Sequence, residues 1–225
     1  YYVGRMLYTV ALVVLVSILT LMLAMPLTII IARLKNFWRS TWVVLLLTSL
    51  ALSEVLTAYA WQIILSKSSG LPGWLERLGL LTDANSWWPG FPAMLLVLVY
   101  FSIPIAMVML LPPLSRMDGS LSDTARMMGF SKIEVFWRVT LPVLRRPIFQ
   151  TGLLLFLLNS GGFVISQQLG RPSDWMFSVF IADFMRSFNV PFAVALALCL
   201  LLTVVVLVGV TYLAFGREEA SSRDV

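Results

Sequence analysis

Few side chains in this sequence are of the types that catalyse reactions or bind metals. The chain contains no histidine and a single cysteine, Cys199. It therefore lacks the commonest general base near neutral pH and the usual imidazole ligand for a metal. Cys199 lies inside an apolar run, where we expect it to pack as a small buried hydrophobic residue. One cysteine forms neither an intrachain disulfide nor a thiolate cluster. We expect no catalytic residue, no metal site and no cofactor in this chain.

Glu54 is the clearest charged residue within an apolar stretch, where it stands between Ser53 and Val55. A charge at the centre of a membrane costs at least about 2.5 kcal/mol on insertion scales, so this carboxylate should face protein or water. It is either a contact for a cation or amine in a transport pathway, or a protonated or hydrogen-bonded packing residue. A third interpretation is that a broken helix displaces it to the membrane interface.

Other polar residues interrupt the apolar stretches at positions that suit a pathway or a gate. Besides Glu54, the candidate pathway residues are Tyr59, Asn159, Ser160 and Gln167. Small residues also let neighbouring helices approach closely, so packing is the alternative interpretation for this part of the sequence.

The elements that hold these residues must be long and apolar. Of the 225 residues, 60% are hydrophobic and 12% are charged, whereas a soluble domain carries roughly 25% charged residues. This composition, with a mean hydropathy of +0.92, excludes an ordinary soluble fold and a disordered chain. A helix needs about 20 residues to cross a bilayer. Five stretches are long enough: 6–32, 41–65, 91–111, 148–168 and 191–215. We predict an all-α, polytopic bundle that forms one transmembrane domain over residues 1–225.

The distribution of basic residues predicts the orientation of these spans. Five spans place the two chain ends on opposite sides, and basic residues favour the cytoplasmic side. One set of loops holds most of the 16 Lys and Arg residues. That set comprises Arg33, Lys35, Arg39, Arg116, Arg126, Lys132, Arg138, Arg145, Arg146, Arg217 and Arg223. Residues 112–147 and the C-terminus are therefore expected in the cytoplasm. This topology, rather than nucleic-acid binding, accounts for the net charge of +5.

The two outward-facing loops carry short helical patterns, at 71–78 and 178–188. Short amphipathic helices of this kind either lie on the membrane surface or form a docking face for an extracytoplasmic partner.

The cytoplasmic loop is too long and too patterned for a simple connector. Residues 118–147 read DGSLSDTARMMGFSKIEVFWRVTLPVLRRP. Leu121, Ala125 and Met128 recur at the spacing of one helical face. Gly129 follows them directly, and glycine accepts the left-handed backbone that ends many helices.

Capping residues mark the two helices of this loop. Ser120 and Asp123 form a capping pair for the first, and Ser131 with Glu134 forms a capping box for the second. The pair Leu141-Pro142 is expected to break the second helix. Two helices this short are marginal alone, because isolated helices need about 12–15 residues. They pack either under their own bundle or against another cytoplasmic subunit.

The loop resembles the EAA loop of binding-protein-dependent ABC importer permeases of the type I fold, whose pattern is E-A-A-x3-G-x9-I-x-L-P. This chain supplies Asp123-Thr124-Ala125, then Gly129 after three residues, then Val139-Thr140-Leu141-Pro142 after nine more. The spacing matches throughout. The departures are Asp for Glu, Thr for the first Ala and Val for Ile, and Thr124 is the one that bears on packing against a partner.

The resemblance implies a coupling helix at about 120–128 that sits in a groove of a cytoplasmic ATPase. The coupling residues that it implies are Ser120, Leu121, Asp123, Thr124, Ala125, Met128, Gly129, Leu141 and Pro142. It further implies a second homologous permease subunit, two ATPase subunits, an extracytoplasmic solute-binding protein and a location in the bacterial inner membrane. ATP and magnesium would bind the ATPase, since this sequence has no G-x-x-x-x-G-K phosphate loop.

The resemblance extends over essentially the whole chain and is closest to the spermidine/putrescine-type permeases. The runs Ala58-Tyr59-Ala60-Trp61, 70–80 and Asn189-Val190-Pro191-Phe192 resemble that branch. Those permeases have six spans, so we expect a further span before Tyr1. The branch implies a polyamine or a related small cationic solute as cargo.

Three alternatives remain open at this point. The same machinery could import another solute, such as an opine-like, iron, phosphonate or thiamine cargo. An ATP-independent secondary transporter would need coupling-ion ligands, for which Glu54 is the central acid available. A membrane enzyme is disfavoured by the lack of histidine, of a thiol cluster and of a carboxylate pair within the spans.

Overall fold

The chain folds as a bundle of helices, with no strand in the residues described. The structure, a computed structural model, describes residues 2–68, 70–79, 86–117 and 127–221, without the side chains of 132, 133 and 214–221. The helices are α1 (Tyr2–Ala32), α2 (Asn36–Ala51), α3 (Glu54–Ile64), α4 (Leu71–Arg77), α5 (Phe91–Ser115), α6 (Lys132–Val135), α7 (Leu141–Ser160), α8 (Val164–Leu169), α9 (Phe177–Arg186) and α10 (Val190–Ser221). A π-helical turn, Phe136–Thr140, joins α6 to α7.

Three of the five predicted spans are single helices. These are α1, α5 and α10, and each is long and apolar enough to cross a membrane. They are apolar around most of their circumference, which is typical of helices that face lipid on one side and protein on the other. The predicted all-α transmembrane bundle is confirmed, with four such helices in the described residues, or five if a bent pair is one span.

The second predicted span, 41–65, is wrong as a single helix. It consists of α2 and α3, which meet at an angle of 95°. Leu52 and Ser53 are both extended between them, with ψ of 137° and 133°. Serine favours the position just before a helix, and an acidic residue favours the first turn. Ser53 and Glu54 therefore start a new helix in the middle of the apolar stretch.

The fourth predicted span, 148–168, is also misplaced. The helix runs from Phe136 through α7 and ends at Ser160, and the short α8 begins only at Val164. Two consecutive glycines, Gly161 and Gly162, follow Ser160, and glycine is the least favourable residue in a helix apart from proline. Apolar residues resume directly after this break, at Phe163-Val164-Ile165, which is why average composition gives a single span.

The centre of the bundle is formed by α1, α5 and α7, which all pack against one another. One apolar cluster includes Val16 of α1, Met94 and Val97 of α5 and Ile165 of α8, all essentially buried. A second cluster lies towards the other end of α1 and α5 and includes Leu46 of α2. In contrast, α10 packs mainly on α9, so much of its apolar surface is exposed in the isolated chain.

The segments predicted to face outward meet at one end of the bundle. The Phe177 N–H at the start of α9 donates to Thr9 Oγ1 near the start of α1, at 2.8 Å. Gly90 N–H, before α5, donates to the carbonyl of Leu169 at 2.8 Å. The short helices predicted at 71–78 and 178–188 are confirmed as α4 and α9, and their position on the outer side stays a prediction.

The prediction that Cys199 is buried is wrong, because its side chain is exposed on α10. The apolar run that surrounds it indicates a membrane environment, and lipid satisfies an apolar side chain as well as protein does. An apolar run in a membrane helix therefore does not predict burial within the chain.

Candidate functional site

After the residues that the structure leaves undescribed, the loop predicted to be cytoplasmic resumes at Met127 and makes a left-handed turn at Gly129. Gly129 has φ of +88°, and a β-carbon at this residue would meet nothing within 4 Å. The predicted left-handed backbone at this glycine is confirmed, while the helix that it was predicted to end lies largely outside the described residues. Any other residue would adopt this conformation at a cost of roughly 1–2 kcal/mol. The chain thus maintains a sharp, open turn directly after the segment implied to be the coupling helix.

A capping box follows the turn, as the sequence predicts. Ser131 N–H donates to Glu134 Oε2 at 2.9 Å, and Glu134 N–H donates to Ser131 Oγ at 3.3 Å. The backbone bond from Ser131 lowers the pKa of Glu134 most, followed by the bond with its hydroxyl. Arg138, one helical turn further on, lowers this pKa as well. The two reciprocal hydrogen bonds between Ser131 and Glu134 therefore hold the start of α6 in place directly after the Gly129 turn.

The expected helix break at Leu141-Pro142 is wrong. The chain stays helical from Lys132 to Ser160, with the π-helical turn just before Leu141. Proline cannot donate the N–H of a regular helix and its ring crowds the preceding turn. The wider π turn, together with the position of Pro142 in the first turn of α7, accommodates both defects. The loop exit is consequently continuous with α7, a central helix of the bundle.

Large apolar side chains stand exposed on both sides of the Gly129 turn. Met127 is 89% exposed, Met128 73% and Trp137 61%. Phe130 differs, because the Arg138 guanidinium lies over its ring at 5.3 Å. Soluble surfaces seldom leave such side chains uncovered together, so another subunit or lipid is expected to cover them. Trp137 belongs to the stretch Phe136–Ser160, which is long and apolar enough to cross a membrane, and lipid suffices to cover it.

Five of the implied coupling residues, Ser120, Leu121, Asp123, Thr124 and Ala125, lie outside the described residues. Their roles stay predictions. Met128, Gly129, Leu141 and Pro142 are described, and they flank the capping box on its two sides.

Glu54 lies at the break between α2 and α3 and not in the middle of a helix. It is half-buried in the first turn of α3. Tyr59 lies on the same helix but is exposed. At 100° per residue the two side chains point about 140° apart, so α3 does not bring them to one face. The first part of the broken-helix interpretation of Glu54 is confirmed, and a pathway role for either residue stays a prediction.

Asn159 is buried at the end of α7 and binds a residue that the sequence did not single out. Its amide nitrogen donates to Ser102 Oγ of α5 at 3.0 Å and to the Leu155 carbonyl at 2.8 Å. Ser160 Oγ donates back to the Phe156 carbonyl at 2.6 Å. The hydrogen bonds of Asn159 and Ser160 are those that a packing role requires, and a pathway role for either residue stays a prediction.

Gln167 is half-buried in α8, and its neighbour makes the contact that joins α8 to α3. Gln62 Nε2 donates to the Gln168 carbonyl at 2.6 Å and to Gln168 Oε1 at 3.2 Å. This pair spans 106 positions in the sequence. No local pattern marks Gln62, which is why sequence reasoning missed it.

The capping box gives the first prediction. Replacing Ser131 or Glu134 with alanine should speed hydrogen exchange of the amides at 131–135 by roughly fivefold, as expected for the loss of one cap. Because the folded pKa of Glu134 is lowered, the cap contributes fully above the ordinary glutamate pKa of about 4.3 and is lost as pH falls through the lowered value. The protection of these amides in the unchanged protein, taken relative to the intrinsic exchange rate at each pH, should therefore fall only on acidification. Ser115→Ala, which removes a hydroxyl bonded within α5, serves as the control, and equal rates in S131A and the unchanged chain would contradict the prediction.

Comparison of the whole chain with known families decides its class. The family model described as "binding-protein-dependent transport system inner membrane component" matches residues 3–217. The chain belongs to this family. The resemblance inferred from the loop 118–147 is thereby confirmed, as are a multi-pass inner-membrane protein and a permease of the ABC importer type.

Individual permeases show the same relationship. The chain is 24% identical over 219 residues to the spermidine/putrescine transport system permease protein PotB of Escherichia coli, covering 97% of this chain and 78% of that protein. It is 23% identical over 160 residues to a PotC homolog of Mycoplasma genitalium, covering 68% and 51%. A probable ABC transporter permease protein of Brucella abortus is 28% identical over 163 residues, covering 68% and 55%.

Proposed function

We propose that this permease forms half of the translocation pathway of an ATP-driven, binding-protein-dependent importer, and that residues 120–129 couple it to the ATPase. The observation that carries this proposal is the Gly129 turn. It is left-handed, open and bordered by exposed apolar side chains, and it stands at the position that the EAA-loop spacing assigns to the coupling glycine.

The loop is built to transmit movement into the membrane. Because α6, the π turn and α7 are continuous, a push on the Gly129 turn acts directly on α7. That helix packs on both α1 and α5. When the two ATPases close on ATP, the displaced loop would carry α7 with it and switch the pathway between inward-open and outward-open states. ATP hydrolysis on the partner resets the equilibrium, and this chain supplies no catalytic group.

The partners follow from the same proposal. A second permease subunit completes the pathway, two ATPase subunits bind the cytoplasmic loops, and a solute-binding protein delivers cargo on the outer side. The side with residues 112–147 and the C-terminus is cytoplasmic, since it carries most of the basic residues. The other loops gather at one end of the bundle, as the alternation of spans requires.

For the cargo we propose a polyamine or a related small cationic solute. The support is the naming of relatives as spermidine/putrescine permeases over nearly the whole chain, together with the half-buried carboxylate of Glu54 at a helix break. Within the described residues no salt bridge neutralises Glu54, so its charge is available to an ammonium group. Opine-like, iron, phosphonate and thiamine cargoes are the alternatives for the same machinery.

Glu54 gives the second prediction. Glu54→Gln should raise the KM for uptake of a cationic cargo by up to about fivefold, the equivalent of one exposed ion pair. The maximal rate and the thermal stability of the complex should be unchanged. Glu54 is only half-buried, and its replacement by glutamine removes no contact that the structure describes. Uptake by the reconstituted transporter measures the effect. The control is Glu76→Gln, because Glu76 of α4 is also half-buried. A fall in stability with unchanged KM would instead assign Glu54 to packing.

Reconstituted uptake also tests the proposed function as a whole. The complete complex in proteoliposomes, with its binding protein, should accumulate spermidine or putrescine only when ATP is supplied on the ATPase side. Uptake by the purified permease alone, without ATP, would establish the secondary-transporter alternative. A third outcome is that ATP drives uptake of another solute while polyamines do not stabilise the binding protein against heat. In that case the cargo proposal fails and the coupling proposal stands.

A further inference from the structure

An apolar groove runs along one flank of the bundle between α1, α7 and α10. Its volume is about 470 Å³. Val14 and Ile18 of α1 line it and are exposed, so the groove is open to the surroundings of the isolated bundle. None of the candidate pathway residues lines it.

The polar groups inside the groove are already satisfied by their own helices. Ser17 Oγ donates to the Val13 carbonyl at 2.8 Å. Thr211 Oγ1 donates to the carbonyls of Leu207 and Val208 at 2.8 and 2.9 Å. A polar solute would therefore find no free hydroxyl here, whereas a hydrocarbon chain needs none.

The groove carries a positive charge towards the start of α7. Arg145, near the start of α7, is the charged residue among the described residues that line it. Phe156 lines the far end, 11 positions along the same helix, which corresponds to about 16 Å at 1.5 Å per residue. Half of a bilayer's hydrocarbon core is about 15 Å thick. The apolar stretch from Arg145 to Phe156 thus matches one leaflet in depth, with a cation where the lipid phosphate would lie, and Leu141 lines the groove one helical turn beyond the arginine.

We propose that this groove binds an anionic phospholipid, with one acyl chain between α1, α7 and α10 and the phosphate beside Arg145. Basic pockets between membrane helices on the cytoplasmic side recognise anionic headgroups in this way. The same arginine makes the groove unsuitable for a cationic cargo. With the orientation proposed above, the lipid comes from the cytoplasmic leaflet. It would sit against α7, the helix that continues directly from the coupling loop.

The test measures lipid retention by the complete purified transporter, and it does not depend on transport or on ATP. The complex is equilibrated in detergent with phosphatidylglycerol or with phosphatidylcholine of identical acyl chains, and native mass spectrometry counts the lipids retained. The unchanged complex should retain phosphatidylglycerol in preference. Arg145→Gln should weaken that retention by about fivefold, as expected for one basic residue. Arg33→Gln, an exposed arginine at the end of α1 outside the groove, should not.

A second variant tests the groove apart from the charge. Ile18→Trp should fill the groove and lower retention of both lipids, whereas Leu23→Trp, exposed on α1 outside the groove, should leave it unchanged. Equal retention of the two lipids by the unchanged complex would overturn the proposal. So would full retention in the Arg145 variant, or an Ile18 variant without effect, which would mean that another subunit or a further helix covers the groove. Should Ile18→Trp fail to assemble, the exposed Arg145 still decides the outcome.

Discussion

Replacing Gly129 with tryptophan should reduce ATP-driven uptake by about 5–30-fold, the equivalent of 1–2 kcal/mol, while the permease still inserts and folds. The left-handed backbone, with φ of +88°, penalises any side chain at this position. A β-carbon at this position would meet no described atom within 4 Å, so we expect the bundle itself to tolerate the change. We therefore attribute the predicted loss of uptake to the subunit that the turn contacts and not to the bundle. Uptake in proteoliposomes and co-purification of the ATPase measure it.

Gly79 provides a matched control at the other end of the bundle. It too has a positive φ, of +71°, and a β-carbon there would meet nothing within 4 Å. Gly79→Trp therefore carries a similar backbone strain but lies in a loop proposed to face outward. Uptake by this variant should stay within about twofold of normal, which corresponds to a change in free energy of less than about 1 kcal/mol. Equal losses in the two variants would show that strain alone is responsible and would contradict coupling at Gly129.

Replacing Asn159 with alanine should destabilise the permease by about 1–2 kcal/mol. The change removes the bond to Ser102 Oγ, and the Ser102 side chain is only 1% exposed. A buried hydroxyl that loses its partner bears the cost of its own desolvation. Thermal or denaturant unfolding of the purified subunit, followed by helix content, measures the effect.

Ser160 supplies the comparison for Asn159. It is equally buried, but its hydroxyl donates within its own helix to the Phe156 carbonyl. Ser160→Ala should therefore cost much less. The double variant Ser102→Ala with Asn159→Ala should be more stable than the sum of the single effects predicts, because neither group is left unpaired. Strict additivity would mean that the Ser102–Asn159 bond does not contribute.

The sequence was sufficient for features that depend on local chemistry. The turn at Gly129 and the capping box Ser131–Glu134 each involve residues within a few positions of one another, and both are observed. Apolar length likewise predicted α1, α5 and α10, because a bilayer requires a minimum number of apolar residues whatever their neighbours.

Features that depend on distant partners or on breaks within apolar stretches were not predictable. Leu52 and Ser53 interrupt a run whose average hydropathy remains high, so the 95° bend leaves little trace in composition. Asn159 has an evident polar side chain, but its partner Ser102 is 57 residues away. Proline usually ends a helix, so Pro142 led to the prediction of a break. The π turn that accommodates this proline has no sequence signature of its own, and the continuous helix was therefore not predictable.

The most direct measurement is an electron-microscopy structure of the complete transporter in a lipid nanodisc with a non-hydrolysable ATP analogue. The account predicts that residues 120–129 lie in a groove of an ATPase subunit, with Met128 and the Gly129 turn in contact with it. It would be contradicted if this segment lay among lipid, or if it touched no ATPase subunit.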